Sequence, residues 1–99
     1  MAKPVTKTLE VAASVAAGAG VDTTYMYEHS KWVTVTGTFV ATLQLQVSND
    51  GTTWATVGSN ITAPGVTEVT ARCKYLRVNT SAYTSGTPAA SVYGLETIK

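Results

Sequence analysis

Side chains able to move protons, attack carbon or hold a metal are scarce in this chain: one histidine, His29, one cysteine, Cys73, and six carboxylates, Asp22 and Glu28 among them. A zinc site draws on three or four such ligands, and no histidine or cysteine pair occurs here at ligand spacing. In "EHSK", residues 28–31, His29 and Ser30 are adjacent, and adjacent residues of a strand point to opposite faces, which is the wrong geometry for a nucleophile and its base. A thiol nucleophile at Cys73 would have only His29 for a partner; a lone cysteine reads instead as a small buried hydrophobe. Glycoside hydrolysis needs two carboxylates facing across a cleft, and these six acids fall mostly at strand edges or loops. The glycines of "AAGAG", residues 16–20, are followed by no Lys-Ser or Lys-Thr pair and open no helix, so they read as a turn rather than a phosphate loop. The inventory points away from an enzyme, and neither a cofactor nor a metal is expected.

The second group of chemically interesting residues is aromatic and amide-bearing. In "LQVSNDGTTWATVG", residues 45–58, Asn49, Asp50 and Trp54 cluster at a loop tip. As a ligand site they would suit a sugar or calcium, but one Asp and one Asn are too few oxygen ligands for a dedicated calcium cage. As structure, Asn49 and Asp50 bond their own backbone. Gly51 supplies the left-handed residue of a type I turn with a bulge, and Trp54 covers the open end of a sandwich. The corner explains itself without a ligand. Tyr25, Tyr27 and Trp32 have three uses open to them: sugar stacking, subunit contact or ordinary packing. Tyr83 joins Trp32 and Trp54 as a candidate sugar platform.

The elements that must position these residues are strands. Val5, Leu9, Val11, Ala13 and Val15 share one parity, and "TTYMYEHS" reads as a short strand carrying Tyr25 and Tyr27 on one face. In "KWVTVTGTF", Val33, Val35 and Phe39 lie opposite Trp32, Thr34, Thr36 and Thr38. "TLQLQVS" sets Leu43, Leu45 and Val47 inward and Gln44 and Gln46 outward. Leu76 and Val78 mark a strand in "KYLRVNTSAY", Pro64-Gly65 a turn, Gly86 and Pro88 a loop, and Val92 the last strand. No window holds a helical period. Seven or eight short strands with turns between them predict an all-β antiparallel sandwich or jelly roll.

Ninety-nine residues suit one domain, residues 1–99, with residues 1–8 expected as an extended arm that gains order by docking on a neighbour. Charged residues make up 13% of the chain, against roughly 25% in an ordinary soluble domain, so the surface is rich in small uncharged side chains suited to packing against other subunits. A net charge of +1 argues against nucleic-acid or anionic-membrane partners. A single cysteine allows no internal disulfide, in keeping with synthesis in a reducing cytoplasm.

"LQLQVSNDGTTWATVG" followed by "ARCKYLRVNTS" resembles the hairpin and following strand of discoidin-type, galactose-binding-like jelly rolls. The fuller pattern, "VTGTFVATLQLQVSNDGTTWATVG" with "KYLRVNTSAYTSGTPAASVYGLE", is more similar to small structural proteins of tailed bacteriophages, over residues 31–96. That resemblance implies a noncatalytic virion component on the capsid surface: a decoration or cement protein that binds the major capsid protein, commonly as a homotrimer. Its rival is a carbohydrate- or receptor-binding module of a tail, baseplate or fibre.

Overall fold

A computed structural model describes residues 2–26, 31–70 and 73–97. Two antiparallel sheets face each other. The first is built from β1 (Ala2–Leu9), β4 (Lys31–Thr36), β7 (Gly65–Val69) and β9 (Ala89–Thr97), in the order β1-β9-β4-β7. The second holds β2 (Ala16–Ala17), β3 (Val21–Asp22), β5 (Phe39–Ser48), β6 (Ala55–Ile61) and β8 (Tyr75–Gly86), in the order β2-β8-β5-β6, with β3 also on β8. With β2 and β3 taken as two pieces of one interrupted strand, this is the winding of a jelly roll, within the all-β antiparallel class expected.

The core lies between the sheets and follows the period of two. Val33 and Val35 of β4, Leu43 and Leu45 of β5, Leu76 and Val78 of β8, and Val92 of β9 are buried, and the residues between them turn outward. β8 is longer than its partner demands. Its register against β5 shifts twice, between Val40 and Ala41 and between Thr42 and Leu43, and such extra residues bend a strand.

Four expectations are corrected. Residues 1–8 are not a free arm: from Ala2 onward they form β1, paired along its length with β9 from Ala2 opposite Thr97 to Leu9 opposite Ala90. Leu9 is buried, and that inward position holds the strand down. Alternation does not run on to Val15, which is 67% exposed, because the chain leaves the first sheet after Leu9 to reach the second. "AAGAG" is not a turn: Ala16 and Ala17 pair with Thr80 and Asn79, and Gly18 donates its N–H to the Val78 carbonyl at 2.8 Å. Gly18 is needed there for close approach, since a Cβ would collide with the Glu10 carbonyl. Lastly, Thr24–Met26 is a 3-10 turn rather than a strand. The Asp22 carboxylate accepts the Thr24 N–H at 2.9 Å, and the Thr23 carbonyl accepts the Met26 N–H at 3.0 Å. Met26 is thereby swung into the interior, and Tyr25 outward.

At one end of the sandwich two crossovers meet, β4 to β5 and β8 to β9. Gly37 and Gly86 sit in them, each at φ 99°. A Cβ on Gly37 would strike the Thr87 carbonyl, and one on Gly86 the Thr38 carbonyl and Phe39, while the Thr87 N–H donates to the Thr38 carbonyl at 3.0 Å. Both glycines therefore answer a left-handed backbone and a steric limit together. Gly37→Ala and Gly86→Ala are each expected to cost about 1–3 kcal/mol. Gly65→Ala, at ordinary φ in open space, is expected to stay within about 0.5 kcal/mol. Urea unfolding of the three variants checks this; equal midpoints would contradict it.

Candidate functional site

The loop between β5 and β6 is longer than the expected tight turn, since Val47 opposite Ala55 is the last pair. Within it, Asp50 Oδ1 accepts the N–H groups of Thr52 and Thr53, both at 2.8 Å, and the Ser48 hydroxyl at 2.9 Å. Ser48 Oγ accepts from the N–H groups of Gly51 at 2.9 Å and Asp50 at 3.2 Å. Asn49 Oδ1 accepts the Lys74 N–H at 3.3 Å, tying the loop to the start of β8. Gly51 takes φ 78°, the left-handed conformation expected of it. Asp50 Oδ1 is thus turned onto the loop's own amides, and Asn49 Oδ1 onto the amide that precedes β8.

Those bonds favour the charged carboxylate. The Thr53 and Thr52 amides, then the Ser48 hydroxyl, pull the Asp50 pKa down to about 2.

Trp54 does not cap an end of the sandwich. The Arg77 guanidinium lies 4.1 Å from its ring centroid, and the far edge of the indole abuts Gly20. Arg77 Nε also donates to Gln46 Oε1 at 2.8 Å, and Gln46 Nε2 to Thr56 Oγ1 at 3.3 Å. A parallel row runs beside it, Asn79 Nδ2 to Gln44 Oε1 at 3.1 Å and Gln44 Nε2 to Asn60 Oδ1 at 3.5 Å. The outward face of the second sheet is therefore cross-linked from β8 through β5 to β6 by its own side chains.

Trp32 belongs to the other sheet. It lies opposite Tyr93 of β9 and, on its other side, opposite Glu68 of β7. One row across the outer face reads Thr6, Tyr93, Trp32, Glu68; the next reads Thr8, Ser91, Thr34, Val66. Trp32 is 44%, Tyr93 46% and Val66 62% exposed. Side chains facing each other across neighbouring strands have Cβ atoms about 4.5–5.5 Å apart, so the two rings form one patch.

The three rings of the expected sugar platform are consequently not brought together. Trp32 is on the first sheet; Trp54 and Tyr83 belong to the second, where the Tyr83 hydroxyl donates to the Gly86 carbonyl at 2.7 Å. Tyr25 is exposed on its turn, and Tyr27, with Glu28, His29 and Ser30, lies outside the described residues. Tyr93 is the residue that sequence reasoning missed: alternation about Val92 turns it outward, but only the register of β9 against β4 sets it beside Trp32. Cys73 is buried as expected, with the Thr23 hydroxyl 3.2 Å from its carbonyl and 3.5 Å from its sulfur. Among the described residues no three His, Cys, Asp or Glu side chains cluster to hold a metal.

No family profile, curated protein or solved structure matches the chain. Fold and surface together define an all-β jelly-roll sandwich with two unlike faces, one closed by its own hydrogen bonds and one presenting an aromatic pair.

Because Asp50 is held below its usual pKa of 3.8, its contribution to the loop is present in full above that value and disappears as pH falls through about 2. Amide shifts of Thr52 and Thr53, followed by NMR on acidification, are expected to move together with a midpoint near 2. A midpoint near 3.8 would show that the carboxylate is not so bound.

Proposed function

We propose that this protein is a noncatalytic component of a tailed-phage particle, a decoration or cement protein seated on the capsid, with the outer face of the first sheet as its docking surface. The observation that carries the reading is the pair of rows Thr6, Tyr93, Trp32 and Thr8, Ser91, Thr34, Val66, in which two large rings and a valine stand among small hydroxyls. Glu68 at the margin is the one charge in those rows. Such a surface suits an interface core, where aromatic residues are enriched and charges depleted. The likeness of residues 31–96 to small phage structural proteins supplies the partner, the major capsid protein, and the trimeric arrangement.

The mechanism is mechanical. Each copy that buries Trp32 and Tyr93 across a junction between coat subunits stabilises the assembled shell over the opened one, and many copies add. A second reading, recognition of a glycan by a tail or fibre module, is favoured by the same two rings, since an exposed aromatic pair can stack on a sugar.

Cryo-electron microscopy of purified particles tests the first reading. Density repeating at the three-fold or quasi-three-fold points of the shell, with the first sheet toward the coat, is the expected result. Density confined to the tail would overturn it in favour of the glycan reading. For the face itself, Trp32→Ala is expected to weaken capsid binding by about thirtyfold or more while leaving the unfolding midpoint little changed, because truncating a central aromatic anchor removes about 2 kcal/mol or more. Unaltered capsid binding by that variant would assign the docking to another surface.

A further inference from the structure

A two-sheet sandwich has four open edges, and proteins blunt such edges to stop unwanted pairing. Three are blunted here. β1 carries Lys3, Pro4 and Lys7; β2 and β3 are two residues long each; and β6 is distorted where its register against β5 jumps from Leu45 opposite Val57 to Leu43 opposite Ile61, with Gly58 between at φ 74°. β7 is different. Its five residues keep an unbroken ladder with β4, from Val69 opposite Lys31 to Gly65 opposite Val35, with no proline and with Glu68 as the single charge. Among the described residues no strand pairs with its other edge.

Directly inside that edge is a cleft of about 280 Å³ between β6 and β7, lined by Leu45, Val57, Gly58, Thr67, Glu68, Val69 and Thr70. Leu45 and Val69, core residues, form its apolar floor. An apolar cavity of roughly 150 Å³ already holds a benzene ring, so this one has room for branched aliphatic side chains.

We infer that the open edge of β7 and the cleft beside it form a strand-addition site, which takes an extended segment of a partner polypeptide bearing aliphatic residues at alternate positions. The two features specify this occupant separately. Outward N–H and C=O groups recurring at alternate residues of β7 match only a backbone of the same repeat, which a glycan or lipid lacks. Below them, the cleft accepts the side chains that such a backbone directs inward, and Glu68 on the outer face favours a lysine beside it. A second copy joined edge to edge through β7 would satisfy the backbone but direct inward only Gly65, Thr67 and Val69, of which the single aliphatic residue, Val69, is already buried in its own core. The site is distinct from the sheet face proposed above for docking, and it stands or falls without the virion reading.

The test uses the full chain, isotope-labelled for NMR, and an acetylated, amidated heptapeptide of sequence Lys-Val-Thr-Val-Thr-Val-Lys. The expected result is saturable shifts at Gly65–Val69 and Val57, slowed hydrogen exchange in β7, and no change at Trp32 or Tyr93. N-methylation of the peptide's alternate amides on its ladder side is expected to weaken binding by about tenfold or more, each lost bond contributing about 1 kcal/mol. Val57→Trp, which fills the cleft while keeping an apolar residue at a half-buried position, is expected to abolish the shifts at an unchanged unfolding midpoint. Three results would overturn the inference: no perturbation of β7, equal binding of the N-methylated peptide, or concentration-dependent protection of β7 in the chain alone, which would assign that edge to a second copy.

Discussion

The architecture depends on the fit of two crossovers at one end of the sandwich. Gly37 and Gly86 let β4 pass into β5, and β8 into β9, so closely that the Thr87 N–H reaches the Thr38 carbonyl. Those four strands are the central pairs of the two sheets, β4 with β9 and β5 with β8. Fixing the crossovers against each other therefore fixes both registers. A slip of one residue would turn Val33 and Val92 outward and put Trp32 and Tyr93 inside, so the same corner that shapes the core also decides what the surface displays.

Away from the side-chain rows of the second sheet, the polar structure is made of small separate groups. Asp50 and Ser48 satisfy the amides of one loop, Asp22 caps one turn, and Lys7 at 3.2 Å from Glu96 makes a partly exposed ion pair that also donates to the Asp22 carbonyl. Exposed pairs of this kind contribute about 1 kcal/mol at most. Stability rests instead on apolar burial between the sheets. With few charges to place, the chain spends them at edges and turns and leaves the broad face of the first sheet nearly free of them.

Much of this was legible in the sequence, and the reasons are specific. Leu43 and Leu45 are inward and Gln44 and Gln46 outward because a strand's period is two and the contrast between residue types is large. Gly51 was readable because Asn-Asp-Gly names its own turn. Where residue types carry less contrast, alternation misleads: Ala13, Val15, Ala16 and Ala17 read as strand or turn according to neighbours, and only the crossing between sheets settles them. Lys31 shows the converse limit. It shares the inward parity of Val33 and Val35, and the structure buries it, although lysine is a residue that composition assigns to the surface. The Trp32 and Tyr93 pair was beyond reach because it joins residues sixty-one positions apart, and no local pattern encodes which strands become neighbours.

The amide rows across the second sheet have one more consequence. Arg77 and Asn79 donate to Gln46 and Gln44, which donate on to Thr56 and Asn60, all in one direction, so turning those side chains toward an approaching surface would break bonds already made. The opposite side of the molecule offers Trp32 and Tyr93, which join no such row among the described residues. Seated on its first sheet as proposed, the molecule would lie one way up, and any layer of such molecules would be polar, each presenting the same hydrogen-bonded face to the outside.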